Sequence, residues 1–160
     1  MHSSWPTGRA FFRGVSQAPR SVSFASLRMV ARSRGERRVE MTKAEESLAA
    51  AELCYAHGLY NSATNRAYYA MFQAAQVALE AARFIRPEWS HAGLHATFAN
   101  ELTRRRKQFA PVLARDLAIV QELRHTADYR NHDLSARQAT RALSKAREFV
   151  HTVKRSVSHG

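Results

Sequence analysis

The chain of 160 residues contains one cysteine, four prolines and six glycines, and its first acidic residue is Glu36. A single thiol, Cys54, excludes an intramolecular disulfide and a cysteine-based metal cluster. No run approaches the roughly 20 apolar residues needed to cross a bilayer, so we expect no membrane contact and a soluble, cytoplasmic protein. Few helix breakers among many Ala, Leu, Arg and Glu residues predict an all-helical domain.

The net charge of +12 is distributed unevenly along the chain. Residues 1–40 hold eight Arg and two Glu, a net of +6, and residues 41–160 hold 17 Lys and Arg and 11 acidic residues, also +6. Half of the excess charge therefore lies on a quarter of the chain. The remaining domain is moderately basic, which is typical of proteins with a polyanionic partner such as RNA.

The composition divides the chain into an extension, residues 1–40, and a helical domain, residues 41–160. The extension is rich in Ser and Arg and has no sustained helical or strand period. It has three interpretations: a disordered basic arm that contacts nucleic acid, an organelle transit peptide, or a segment placed upstream of the true start. Met29 and Met41 both precede the helical pattern, which motivates the third interpretation.

Local start signals divide residues 41–160 into five helices. In chain order these signals are the capping box Thr42–Glu45, the cap Asn61 or Ser62, the cap Ser90, Pro111, and the capping box Ser135–Gln138. The first three helices are predicted over about 42–57, 62–84 and 90–107. The second helix has two adjoining apolar stripes, which predicts a central position. The fold class is therefore all-α, an up-and-down antiparallel helical bundle of about five helices.

Four segments resemble the HEPN family (higher eukaryotes and prokaryotes nucleotide-binding domain). They are AEESLAAAELCYAHGLYNSATNRAYYAMFQAAQVALEA, SHAGLHATFANEL, ELRHTADY and ALSKAREFV, and together they cover about residues 42–155. The blocks NRAYYAMF and ADY are the most specific. The resemblance implies a bundle that commonly dimerises and, in many members, acts as a metal-independent ribonuclease. Other members pair with a small nucleotidyltransferase in toxin–antitoxin modules, in which the HEPN chain is the toxin.

The family's nuclease signature is an arginine followed, after about four to six residues, by a histidine. Such a pair can stabilise a charged phosphorane and move protons in RNA cleavage. The resemblance assigns phosphorane stabilisation to Arg124, proton transfer to His132 with His125 as a substitute, and orientation to Asp128. Seven residues separate Arg124 from His132, one more than the signature allows. For Arg124 and Asp128 the plain alternative is an i,i+4 ion pair.

A second Arg–His pair matches the signature length but lies in a different place. Arg86 and His91 are separated by PEWS across a proline-containing connection, so we interpret the match as coincidence. His91 and His95 have the i,i+4 spacing of helical metal ligands, but no third ligand is evident. We therefore expect no metal and no cofactor.

Further basic residues are candidates for RNA or phosphate binding: Arg66, Arg104, Arg105, Arg106, Lys107 and Arg130. Arg66 could instead pair with Asp128, and residues 104–107 could be a solvated helix end. Tyr68 and Tyr69 are expected to be mainly structural, one in the core and one at a groove. Tyr129 is the nearest candidate for modification with AMP by a nucleotidyltransferase partner, as occurs in some modules of the family.

Three functional hypotheses follow. The first is a toxin-type, metal-independent ribonuclease acting as a homodimer, with a small nucleotidyltransferase-type antitoxin. The second is a non-catalytic HEPN module that binds a nucleotide or a nucleotidyltransferase, which the off-length Arg–His spacing favours. The third is an interaction protein that binds neither RNA nor nucleotide.

Overall fold

The computed structural model describes residues 34–129 and 133–159, with side chains from residue 41 onward. Its five helices are α1 (Arg34–Ala56), α2 (Tyr60–Ala81), α3 (His91–Thr97), α4 (Pro111–Tyr129) and α5 (Ala136–Ser158). Helix α3 continues without a break into a π-helical segment, Phe98–Arg105. The predicted all-α bundle of about five helices is confirmed.

Helix α2 is the centre of the bundle and packs against α1, α3, α4 and α5. Its buried face is rich in alanine, and Ala67, Ala70, Ala74 and Ala78 have no exposed surface. Such small side chains let neighbouring helices approach closely. Phe98 packs between Phe109 and Phe149, with ring centroids 5.4 and 5.3 Å apart, and fills the layer beside these alanines. The predicted central position of this helix is confirmed.

Three of the predicted helix starts are confirmed. The Ser90 hydroxyl accepts the backbone N–H of Gly93, and Pro111 is the first residue of α4. Ser135 and Gln138 form the predicted capping box at the start of α5. Each of these residues satisfies or avoids an unpaired N–H of the first turn, which is why local sequence locates them well.

Two predicted starts are wrong. Thr42 lies inside α1, because the helix already begins at Arg34 and residues 36–41 contain neither Gly nor Pro. Helix α1 thus crosses the proposed boundary at residue 40, whereas residues 1–33 lie outside the described part. At α2 the N-cap is Leu59, without a side-chain hydrogen bond. Asn61 instead bonds the Asp133 carboxylate and the Leu134 N–H, at 2.8 and 2.9 Å.

A residue with left-handed backbone conformation lies two positions after the end of α1 and of α2. Gly58, two residues after the end of α1, has φ of 73°. Helix α2 ends at Ala81, three residues before the predicted end, because Arg83 adopts φ of 72°. The N–H groups of Arg83 and Phe84 then turn back onto the carbonyls of Glu80 and Leu79, the arrangement of a Schellman motif. The predicted end at residue 84 is therefore wrong.

Candidate functional site

Arg124 lies on the inner side of α4, where it faces helix α2. Only 12% of its side chain is exposed. Its guanidinium carbon is 5.1 Å from the ring centroid of Tyr69 and 5.5 Å from that of Tyr68, so the cation rests against two aromatic rings of the neighbouring helix. An arginine on a solvated stripe would not be held in this way.

Asp128, one turn along α4, pairs with Arg124. Its Oδ2 is 3.1 Å from Arg124 Nε. The N–H of that buried Nε is not aligned with the carboxylate, so the contact is an ion pair without a proper hydrogen bond. No described residue accepts a hydrogen bond from Arg124. Its guanidinium therefore combines a fixed position with donors that the described residues leave unused.

Asn65 on α2 holds the other member of this pair. Its Nδ2 donates to both Asp128 oxygens, each at 3.1 Å. This contact joins residues 63 positions apart and fixes α4 against α2 near Arg124. Arg66, the alternative partner for Asp128, is exposed and forms no ion pair within the described residues. The suggested Arg66–Asp128 pair is wrong, because Asn65, the preceding residue of α2, faces the Asp128 carboxylate instead.

Next to Arg124, the hydroxyl of Tyr68 meets two histidines of α3. It is 2.6 Å from His91 Nδ1 and 3.2 Å from His95 Nε2. Tyr68 has no exposed surface. The rings pack as well, with the His91 centroid 5.4 Å from Tyr68 and 4.9 Å from Phe72. Arg124, Asp128, Asn65, Tyr68, Tyr69, His91 and His95 are called the Arg124 site below.

Burial keeps the ionisable groups around Tyr68 neutral. It raises the pKa of the Tyr68 hydroxyl well above its usual value, although the Arg124 charge opposes this shift. It lowers the pKa of His95 to about 4, an effect that His91 reinforces. The pKa of His91 is also lowered, first by burial and then by the charges of Arg124 and His125. Arg124 is therefore the cation of this site at neutral pH.

His125 and Tyr129 lie at the solvent side of the site. Both are exposed, and their rings pack with centroids 5.7 Å apart. His125 is close enough to His91 for its charge to affect the His91 pKa. Of the four predicted catalytic residues, Arg124, Asp128 and His125 thus come together on α4. His132 lies outside the described residues, as does Arg130.

The predicted phosphate-binding residues Arg104–Lys107, called the basic turn below, lie elsewhere. Arg104 bonds Asn100 at 3.2 Å, and Arg105 pairs with Glu101 at 3.1 Å. Arg106 donates to the Ala82 carbonyl at 2.9 Å and lies over the Phe84 ring. Ala82 is 14 residues from Tyr68, or about 21 Å along the axis of α2. The basic turn and the Arg124 site are therefore separate surfaces.

His91 was interpreted as half of a coincidental match with Arg86. In the structure the Arg86 guanidinium lies 4.7 Å from the Trp89 ring centroid, and His91 contacts Tyr68 in the Arg124 site. Sequence reasoning also missed Asn65 and His95. The i,i+4 spacing of His91 and His95 was a valid sign that they share a face, but their common partner is a tyrosine rather than a metal.

A metal-binding cluster and a membrane-spanning helix are both absent from the described residues. In the described ranges, no group of three or more His, Cys, Asp or Glu side chains could hold a metal ion. None of the helices in the described part is long and apolar enough to span a bilayer.

Comparison with known proteins agrees with the helical pattern and the motifs. The model of the HEPN domain matches residues 38–156, which is about three quarters of the chain and includes every residue of the Arg124 site. A search of curated proteins gave no significant match. Because the matched region spans all five helices, the chain belongs to the HEPN domain family, whose functions involve nucleotides or RNA.

Proposed function

We propose that this HEPN protein binds RNA through its sugar–phosphate backbone and cleaves it without a metal, as the toxin-type component of a toxin–antitoxin module. Arg124 stabilises the phosphorane. Asp128 holds the Arg124 side chain in place, and Asn65 holds Asp128. The imidazoles that transfer protons are His125 and His132. The observation that carries the proposal is the state of Arg124: its side chain is 12% exposed and is fixed by two aromatic rings and a carboxylate, and the described residues leave its donors unused.

A fixed cation favours this chemistry because negative charge builds up on the non-bridging oxygens of the phosphorane during the reaction. The RNA 2′-oxygen attacks the adjacent phosphorus, the O2′–P bond forms and the P–O5′ bond breaks. One imidazole takes the proton of the 2′-hydroxyl, and a second gives a proton to the leaving 5′-oxygen. The products are a 2′,3′-cyclic phosphate and a 5′-hydroxyl. A guanidinium that is already oriented stabilises the phosphorane with little reorganisation.

The proposal includes a homodimer and a small nucleotidyltransferase-type antitoxin as partners. In a dimer, the same histidines of a second copy would supply the second proton-transfer group. Sedimentation analysis of the wild-type chain tests the homodimer, and a chain that sediments as a monomer at the concentrations used for cleavage would remove the second copy from the proposal.

The cleavage test uses labelled RNA in the presence of a chelator. The wild-type chain should produce 2′,3′-cyclic phosphate and 5′-hydroxyl ends. Arg124→Ala should be at least about a hundredfold slower, whereas Arg155→Ala, which removes an exposed arginine near the end of α5, should cleave normally. Thermal unfolding of each variant separates loss of chemistry from loss of fold. RNA left intact by the wild-type chain, with and without its partner, would reject the proposal.

A second candidate function is a non-catalytic module that binds a nucleotide or serves as the substrate of a nucleotidyltransferase partner. The observation that favours it is the exposure of Tyr129, whose side chain is accessible at 74% beside His125. Co-expression with the partner should then add one AMP residue to the wild-type chain and none to Tyr129→Phe. An unchanged mass of the wild-type chain would remove the version in which the chain is the substrate of its partner.

A further inference from the structure

The Tyr68 hydroxyl constrains which nitrogen of His91 carries a proton. A hydroxyl has one proton to donate, and here it faces two ring nitrogens, His91 Nδ1 at 2.6 Å and His95 Nε2 at 3.2 Å. Hydroxyl donors form shorter hydrogen bonds than ring N–H donors do. We therefore assign the short bond to Tyr68 donating to His91 and the long bond to His95 donating to Tyr68.

This assignment fixes the tautomer of His91. Because Nδ1 accepts a hydrogen bond, the proton of the neutral ring must be on Nε2. The Nε2 atom has no hydrogen-bond partner among the described residues, and His91 is only half-buried. His91 therefore has an N–H donor that the described part of the chain leaves unused.

The described groups that face His91 favour the neutral ring over the charged one. Helix α4 contributes Arg124 and His125, whose charges repel an imidazolium. Helix α2 contributes the buried Tyr68 hydroxyl, and α3 itself contributes His95, which is also neutral at ordinary pH. The donor at Nε2 thus persists through neutral pH and below it, without depending on protonation of the ring.

We propose that His91 is a phosphate-contacting residue of the Arg124 site, a neutral imidazole whose Nε2–H donates to a non-bridging oxygen of the RNA phosphodiester that Arg124 binds. Tyr68 and His95 are its positioning residues. This inference rests on the proposed function, and it adds a residue that lies outside the Arg–His signature of α4.

Binding and cleavage are separated by a 2′-O-methyl oligoribonucleotide, which lacks the attacking hydroxyl. His91→Ala should weaken binding of this probe about tenfold, the value of one hydrogen bond to a charged group. His91→Gln should recover much of that loss, because the glutamine amide can donate from near the Nε2 position. His151→Gln, on the exposed face of α5, is the matched control and should bind normally.

The dependence on pH identifies the form of the ring that binds. If the donor is the neutral ring, the ratio of wild-type to His91→Ala affinity stays constant above the usual histidine pKa, from about pH 6.5 to 8. A ratio that falls with rising pH would identify an imidazolium and would overturn the proposal.

The positioning roles have a readout that does not require RNA. The ¹⁵N shifts of the His91 ring in the full chain should show a protonated Nε2 and an acceptor Nδ1. Tyr68→Phe keeps the buried ring, removes the hydroxyl, and should change the Nδ1 shift while weakening probe binding about threefold. Wild-type spectra showing Nδ1 protonated would contradict the positioning roles.

The outcomes distinguish the two proposals. If the probe binds, Arg124→Ala weakens it and His91→Ala does not, the role of His91 is wrong and the proposed function stands. If the wild-type chain does not bind the probe, both proposals are wrong.

Discussion

The Arg124 site and the basic turn both contain arginine, but they hold its side chain in different ways. Arg124 is one cation, fixed by an aspartate of its own helix and by residues of α2. The basic turn holds four consecutive cations, all exposed, and its Arg104 and Arg105 are held only within their own helix. By charge density in the sequence alone, the basic turn would be the preferred phosphate-binding surface. Preorganisation makes Arg124 the better phosphate-binding residue, since a positioned cation needs less rearrangement as it binds.

The largest expected effect tests the geometry of the guanidinium. Arg124→Lys keeps the charge but loses the planar fork that lies against Tyr68 and Tyr69. We expect RNA cleavage to fall at least about tenfold. Arg105→Lys, the matched change in the basic turn, should cleave at the wild-type rate. Equal activities in the two variants, measured as initial rates on one RNA substrate, would remove the contrast between the two surfaces.

A second experiment tests what the basic turn contributes. We propose that it contacts the RNA backbone as a set of mobile charges. Changing Arg104, Arg105 and Lys107 together to Gln should weaken binding about tenfold at low salt, and similarly for different sequences. The slope of log affinity against log salt should fall by about two, which corresponds to three lost single-strand phosphate contacts. An unchanged slope would show that RNA does not contact this surface.

The third effect concerns the stability of the Arg124 site in acid. The pKa of His95 is about 4 in the folded chain and near 6.5 when unfolded. Between these values the unfolded chain binds more protons, so stability is present above about pH 6.5 and is lost as the pH falls toward 4. Allowing for partial solvent exposure of the ring, we expect a loss of about 1 kcal/mol.

Urea unfolding of the wild-type chain and His95→Gln across this pH range measures that loss. The glutamine cannot titrate but can still donate to Tyr68, so its unfolding free energy should depend less on pH. Parallel pH profiles of the two chains would show that His95 does not titrate as assigned.

The smallest effect separates one residue of the basic turn from its neighbours. Arg106 donates to the Ala82 carbonyl and covers Phe84, which closes the end of α2. Arg106→Ala should lower the free energy of unfolding by about 0.5 to 1 kcal/mol, whereas Arg104→Ala should change it by less than about 0.5 kcal/mol. Chemical denaturation of the two variants provides the comparison, and equal losses would mean that Arg106 does not act as this cap.

Local signals predicted the parts of the molecule that depend on a few neighbouring residues. Ser90 and the Ser135–Gln138 box were located correctly because a cap is made within one turn. Thr42 and Glu45 carry the same type of signal but lie inside α1, since the preceding residues also favour a helix. A capping pattern indicates a start only where the chain before it is not helical.

The same reasoning explains what was predicted of the site. Arg124 and Asp128 share a helix at i,i+4, so their pairing could be expected from spacing alone. The contacts from Asn65 to Asp128 and from Tyr68 to His91 join different helices. They depend on how α2, α3 and α4 pack, which helical periodicity does not specify. The resemblance assigns the site to α4, and packing places His91 and His95, which the signature does not contain, beside it.

The most direct test of the central claim follows the Arg124 Nε–H signal by NMR during titration with the 2′-O-methyl oligoribonucleotide. We predict that this signal shifts in proportion to binding, at lower RNA concentration and by a larger amount than the side-chain signals of Arg104 and Arg105. An unchanged Arg124 signal in a chain that binds the RNA would contradict the account.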